Sequence, residues 1–141
     1  MYNLSESLCK YKPEVRSNEA TLDFFQGLVE RKLVLQYCPH CKKYSLTSNR
    51  FCPYCLSEVV WKEVSGDGTI YTWTTNYQNS HPAFTAEIPY VIGTIQLKEN
   101  VLFIARILNL KSDDLKINMP VKVNFWEMGN TYPIPFFEPF N

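Results

Sequence analysis

Residues 38–55 read CPHCKKYSLTSNRFCPYC, and this stretch decides how the chain is organised. Cys38 and Cys41 form one C-x-x-C pair and Cys52 and Cys55 a second, with ten residues between the pairs. Each pair lets two thiolates converge on one ion from a tight turn, and two such turns complete a tetrahedron. Cys38, Cys41, Cys52 and Cys55 are therefore predicted to bind a single structural metal ion. Zinc is the first choice, and iron, which also takes tetrahedral sulfur, the second. Four cysteines fill the coordination sphere and leave no position for an activated water, which excludes a catalytic role for the ion. His40, inside the first knuckle, is expected to face solvent. The segment has little apolar content and cannot bury a core by itself. Metal binding contributes on the order of 10–16 kcal/mol in such peptides and takes the place of that core.

Upstream, LVLQY (33–37) is predicted to be a short strand leading into the first cysteine pair. Before it, Ser17 or Asn18 can cap a helix that runs to about Lys32. Glu19 and Asp23 fall near its positive end and Arg31 and Lys32 near its negative end, as the helix dipole favours. At helical spacing Leu22, Phe24, Phe25, Leu28 and Val29 lie within an arc of about 160°. That face is expected to pack on the protein's own remainder rather than on a partner. Residues 1–16 are polar and hold a lone Cys9, which needs no role.

Downstream of Trp61 the pattern changes. GTIYTWTTNY (68–77), YVIGTIQL (90–97), VLFIARILN (101–109) and VKVNFWEM (121–128) are β-branched and aromatic, with turn residues between them. Val91, Gly93, Ile95 and Leu97 alternate with Ile92, Thr94 and Gln96, and Val121, Val123 and Phe125 with Lys122, Asn124 and Trp126. Such alternation puts one face in a core. Lys98-Glu99-Asn100 is read as a hairpin turn, and Ser65-Gly66-Asp67-Gly68 as a hinge or bulge between two modules. A last segment near Tyr132–Phe137 is expected at an edge, because it contains Pro133 and Pro135. The fold class predicted is mainly β: an N-terminal helical segment (1–32), a rubredoxin-like zinc ribbon (33–64) and a five-stranded OB-fold barrel (65–141).

The chain of 141 residues carries 14 Lys and Arg against 14 Asp and Glu, so its balance does not call for nucleic acid or an anionic membrane. Between Cys38 and Ser57 the bases are Lys42, Lys43 and Arg50, with no acid. A zinc–tetrathiolate centre has a formal charge of about −2, so the ribbon is nearly neutral. From Ser65 onward five bases face seven acids. A nucleic-acid barrel normally offers a basic groove interleaved with aromatics. Tyr71, Trp73 and Tyr77 alternate along one strand and are able to stack bases, which keeps a nucleic-acid-binding ribbon and barrel in view as the alternative. No segment is long and apolar enough to span a bilayer, and the start has no secretory pattern, so a cytoplasmic protein is expected, with cysteines used for metal rather than disulfides. A catalytic constellation is not found. His81 with nearby Glu87 is the one acid–base pair on offer, and a packing or surface histidine is the favoured reading.

Several stretches, in order, are similar to a known family: Phe24–Leu28 with Leu33–Gln36, the two C-P-x-C pairs, Val64–Thr74, His81-Pro82-Ala83-Phe84, Ile88–Val91, Met119–Val123 and Pro135–Pro139. The chain resembles, from about Leu22 to Phe140, a family long described as a domain of unknown function. Its members fuse a rubredoxin-like zinc ribbon to an OB-fold and are associated with acyl-CoA metabolism. The resemblance implies a non-catalytic accessory subunit of a thiolase-like enzyme, whose OB part holds or passes the CoA thioester. It also places the loop at 81–84 and its aromatics at a ligand groove or subunit interface. The candidate ligand-binding residues are Tyr71, Trp73, His81, Phe84 and Arg106. Arg31, Lys32 and Lys62 are further candidates for the phosphates. One departure is Asn118, where the family often has Gly before Met-Pro; Asn also tolerates a left-handed backbone.

Overall fold

Helix α1 is shorter than the apolar pattern predicts and spans Leu22–Val29. Asn18 does not cap it. Its Oδ1 accepts from the Thr21 amide and hydroxyl, which closes a turn ahead of the helix. At the other end Arg31 takes a left-handed backbone, φ 59°. Lys32 N–H then reaches the Gly27 carbonyl and Arg31 N–H that of Leu28. This is the 6→1 and 5→2 pattern of a Schellman stop, built without glycine. Leu28 is buried, and Phe24 and Phe25 pack against the same core. Leu22 and Val29 stay exposed, so the packed face is narrower than the apolar arc.

The computed structural model describes residues 15–78, 82–127 and 131–140. Three strands form an antiparallel sheet in the order β2-β1-β3: β1 Val34–Cys38, β2 Lys43–Ser45 and β3 Val60–Glu63. Leu33 and Leu35 hang from it into the main core. Five more strands close a barrel: β4 Asp67–Asn76, β5 Tyr90–Leu97, β6 Leu102–Ile107, β7 Pro120–Trp126 and β8 Ile134–Pro139. Their order is β4-β5-β6-β8-β7, with β7 returning to β4. All pairs are antiparallel except β6 with β8. This is the topology of an OB-fold, whose fourth and fifth strands exchange places.

The alternation read in β5 holds: Val91, Gly93, Ile95 and Leu97 are buried. Gly93 lies so close to Ile107 that a Cβ there would sit 2.3 Å from its Cδ1. The hairpin turn closes with Asn100 at φ 63° and its N–H on the Leu97 carbonyl. Asn118 is left-handed as well, φ 67°. Gly66, within the stretch read as a hinge or bulge, is left-handed, φ 79°, and its carbonyl accepts from Val123 N–H.

Two readings are corrected. The bulge falls within β4, between Ile70 and Thr72, and shifts the register there. An extra residue reverses the faces that follow it. Tyr71 therefore points out, 51% exposed, while Trp73 packs against the core opposite Gly93. The two do not share a stacking face. The last segment is not an edge either: β8 lies between β6 and β7. Proline removes only an N–H, and the pairing to β6 uses just Phe136 and Phe137, which fall between Pro135 and Pro139. Phe137 is fully buried.

Candidate metal centre and ligand groove

The two knuckles are built alike. Lys42 N–H bonds the Cys38 carbonyl at 2.8 Å, and Leu56 N–H bonds that of Cys52 at 2.9 Å. Both residues are left-handed, φ 58° and 65°. Cys41 N–H points at Cys38 Sγ and Tyr54 N–H at Cys52 Sγ, each at 3.4 Å. These turns bring four free thiols together, with all sulfurs within 4.8 Å of one another. Cys38 and Cys55 sulfurs are 3.5 Å apart and Cys41 and Cys52 sulfurs 3.6 Å. A tetrahedral ion with bonds of about 2.3 Å requires edges of about 3.8 Å, so the set fits a metal. His40 is exposed, as expected.

The thiols divide the charge unevenly. Burial, with the neighbouring thiols, pushes Cys41 up to about 12. Hydrogen bonds from Ser57, first its side chain and then its backbone, hold Cys55 down to about 6. At Cys52 burial acts upward but is outweighed by the Tyr54 and Cys55 amides and the Cys41 thiol, and its pKa falls. Four adjacent thiolates would require a cation among them, and the four sulfurs are placed to hold one metal ion.

The outer face of β5 and β6, with the loop after β4, forms a groove of about 580 Å³. Phe84 comes from a 3-10 turn, Pro82–Glu87, and Tyr90 and Ile92 come from β5. Ile104 and Arg106 are on β6, with Trp126 and Phe136 across from them. Phe24 of α1 closes one side. In OB-folds this second- and third-strand face, flanked by the same loops, is the usual ligand face. Arg106 Nη1 donates to Glu87 Oε1 at 3.1 Å, with side chains only 13% and 3% exposed. Its guanidinium lies 4.0 Å from the Tyr90 ring centre, and the Tyr90 hydroxyl accepts from Asn76 Nδ2 at 2.6 Å. A second cavity of about 620 Å³ shares Tyr90 and runs past Thr75, Asn109, Lys111 and Ser112.

Of the five candidate ligand residues, Phe84 and Arg106 line the groove; Tyr71 and Trp73 do not, and His81 lies outside the described residues, as does Cys9. The other bases are engaged elsewhere: Arg31 with Glu127 at 2.7 Å, Lys32 with Glu30 at 3.8 Å, and Lys62 over the Tyr37 ring at 4.4 Å. Sequence reasoning missed Glu87 as the partner of Arg106, Tyr90 as its platform, and Phe24 as a wall. An acid in an apolar loop, Phe84-Thr-Ala-Glu87-Ile, was the signal available for the first.

A four-thiol ribbon joined to a closed OB barrel defines a class of two-module metal proteins. The model of the ChsH2 rubredoxin-like zinc ribbon domain matches residues 25–60, and that of the ChsH2 C-terminal OB-fold domain matches residues 61–125. Together they take in well over half of the chain, which belongs to this ribbon-plus-OB family, known as DUF35. A probable enoyl-CoA hydratase alpha subunit of Thermomonospora curvata is 29% identical over 130 residues, covering 91% of this chain and 40% of that protein. A DUF35 domain-containing scaffold protein of Methanocaldococcus jannaschii is 30% identical over 90 residues, 62% of this chain and 63% of that one. The chain thus spans less than two thirds of the length of either relative. Among solved structures, an Ltp2-ChsH2(DUF35) aldolase superposes with a TM-score of 0.79 at 29% identity, covering 91% of this chain and 98% of that one. A DUF35 protein of unknown function from Sulfolobus solfataricus, TM-score 0.60 at 16% identity over 88% of this chain and 87% of its own, shares the fold. Among the described residues no helix is long and apolar enough to cross a membrane.

Proposed function

We propose that this chain is a non-catalytic accessory subunit that binds acyl-CoA and works with a thiolase-like or other CoA-thioester enzyme, its ribbon held by structural zinc. The observation that carries the reading is the groove on the OB ligand face, apolar along most of its wall and of a volume usual for small-molecule sites. Relatives named as an enoyl-CoA hydratase subunit, a scaffold protein and an aldolase complex support CoA-thioester chemistry and assembly with a partner. The four-thiol centre is closed and offers no site for an activated water, which favours a structural over a catalytic ion. Zinc suits that donor set, and unpaired thiols suit a reducing, cytoplasmic setting. The nucleic-acid alternative loses its stacking ladder, since Tyr71 and Trp73 face opposite ways, and the barrel has more acids than bases.

Calorimetry on the zinc-loaded protein with acetyl-CoA, longer acyl-CoAs and a short single-stranded DNA at moderate salt tests the reading. Saturable acyl-CoA binding without a DNA signal is expected. Salt-sensitive DNA binding with no CoA signal would return the protein to the nucleic-acid class.

A further inference from the structure

We propose that the groove takes the uncharged, apolar acyl end of a thioester and leaves the nucleotide and its phosphates outside. The inference rests on the acyl-CoA reading and assigns to this face one part of that ligand. A nucleotide end needs cations available to its phosphates. Among the described residues Arg106 is the one charged residue lining the groove, and Glu87 faces its charge. Glu87 holds it at 3.1 Å in a nearly dry setting, and the Tyr90 ring centre lies 4.0 Å from the guanidinium. A phosphate arriving there would compete with a buried carboxylate and meet its repulsion. The ion pair therefore serves as a neutral wall that fixes the Tyr90 ring and the loop bearing Phe84.

The rest of the surface asks for hydrocarbon. Ile104 is 67% exposed in the middle of β6, and Ile92 lies beside it on β5, opposite Arg106. A β-branched residue left open on a ligand face gains when an alkyl chain covers it. Phe84, Trp126 and Phe136 complete a trough in which methylene groups meet carbon on several sides. The volume, about 580 Å³, is large for an acetyl group and suited to a longer or ring-bearing acyl chain.

The test is calorimetric titration of the full, metal-loaded chain with two ligand series. One is bare CoA and its butanoyl, octanoyl and dodecanoyl thioesters, the other the same acyl groups on N-acetylcysteamine, which has no phosphate. All are used below their micelle concentrations. Affinity is expected to tighten by roughly tenfold for each two methylenes, with the same slope in both series. Ile104→Glu, which puts a carboxylate on the trough at an exposed position, should weaken octanoyl binding at least tenfold and leave the melting temperature unchanged. Bare CoA binding as tightly as octanoyl-CoA, with no dependence on acyl length, would overturn the inference and leave the acyl-CoA reading standing. Length-dependent binding in the N-acetylcysteamine series alone would support the acyl trough and sink the CoA reading. Silence in both series would overturn both.

Discussion

The ribbon and the barrel are stabilised in opposite ways. Between Pro39 and Val60 the only buried side chain is Cys52, so apolar burial has almost nothing to act on. In the barrel, Ile70, Ile95, Leu97, Val121 and Phe137 are all nearly or fully buried in one core. One module has four thiols placed to hold a metal ion in place of a core, the other relies on the hydrophobic effect. The two are joined at a defined place: Leu28 of α1 and Leu33 and Leu35 at the entry to β1 belong to the barrel's core, and Val64 N–H bonds the Leu33 carbonyl. The metal-dependent part therefore begins beyond Leu35, at the knuckles, and not at the start of the ribbon sheet. Phe24, which walls the groove, is on the barrel's side of that divide.

The sharpest way to break this contrast is to remove the centre. The double change Cys38→Ser and Cys52→Ser should forfeit the order of 10–16 kcal/mol that such a metal contributes. Elemental analysis should fall from one metal per chain to none, while barrel circular dichroism persists. Next in size, Phe137→Ala opens a cavity at the barrel's centre, beside Phe103. It should lower barrel stability by about 3–5 kcal/mol in denaturant titrations and leave metal content unchanged. Glu87→Ala removes the carboxylate facing the buried Arg106 guanidinium and should lower stability by about 3 kcal/mol; adding Arg106→Met should recover most of it. The smallest effect sharpens the ribbon side. Lys42→Gly relieves a left-handed backbone and should raise the stability of the metal-bound ribbon by about 1 kcal/mol, read as a higher resistance to chelator.

Much of this was legible because the two modules write in different alphabets. Paired cysteines need only spacing, and both knuckles follow from it. Alternation in β5 and the turn at Asn100 are local and read directly. What escaped was non-local or rested on a single residue. One extra residue at Tyr71 turned an apparent aromatic ladder into two faces. The prolines of β8 mark an edge only if both neighbours need their N–H groups, and the short parallel pairing to β6 does not. Lys42, Leu56 and Arg31 stand where glycine would have announced a turn. The groove depends on contacts across the chain: Glu87 lies 19 residues from Arg106, and Phe24 reaches it from the helix. Charge alone selected Arg106 without revealing that its charge is matched.

The most direct test is hydrogen exchange read by mass spectrometry on the metal-loaded chain and after chelation. Loss of protection confined to residues 38–60, with β4 through β8 still protected, is the result expected if the ribbon is held by metal and the barrel by its core. Unchanged protection in the ribbon, or loss across ribbon and barrel in a single step, would contradict that division.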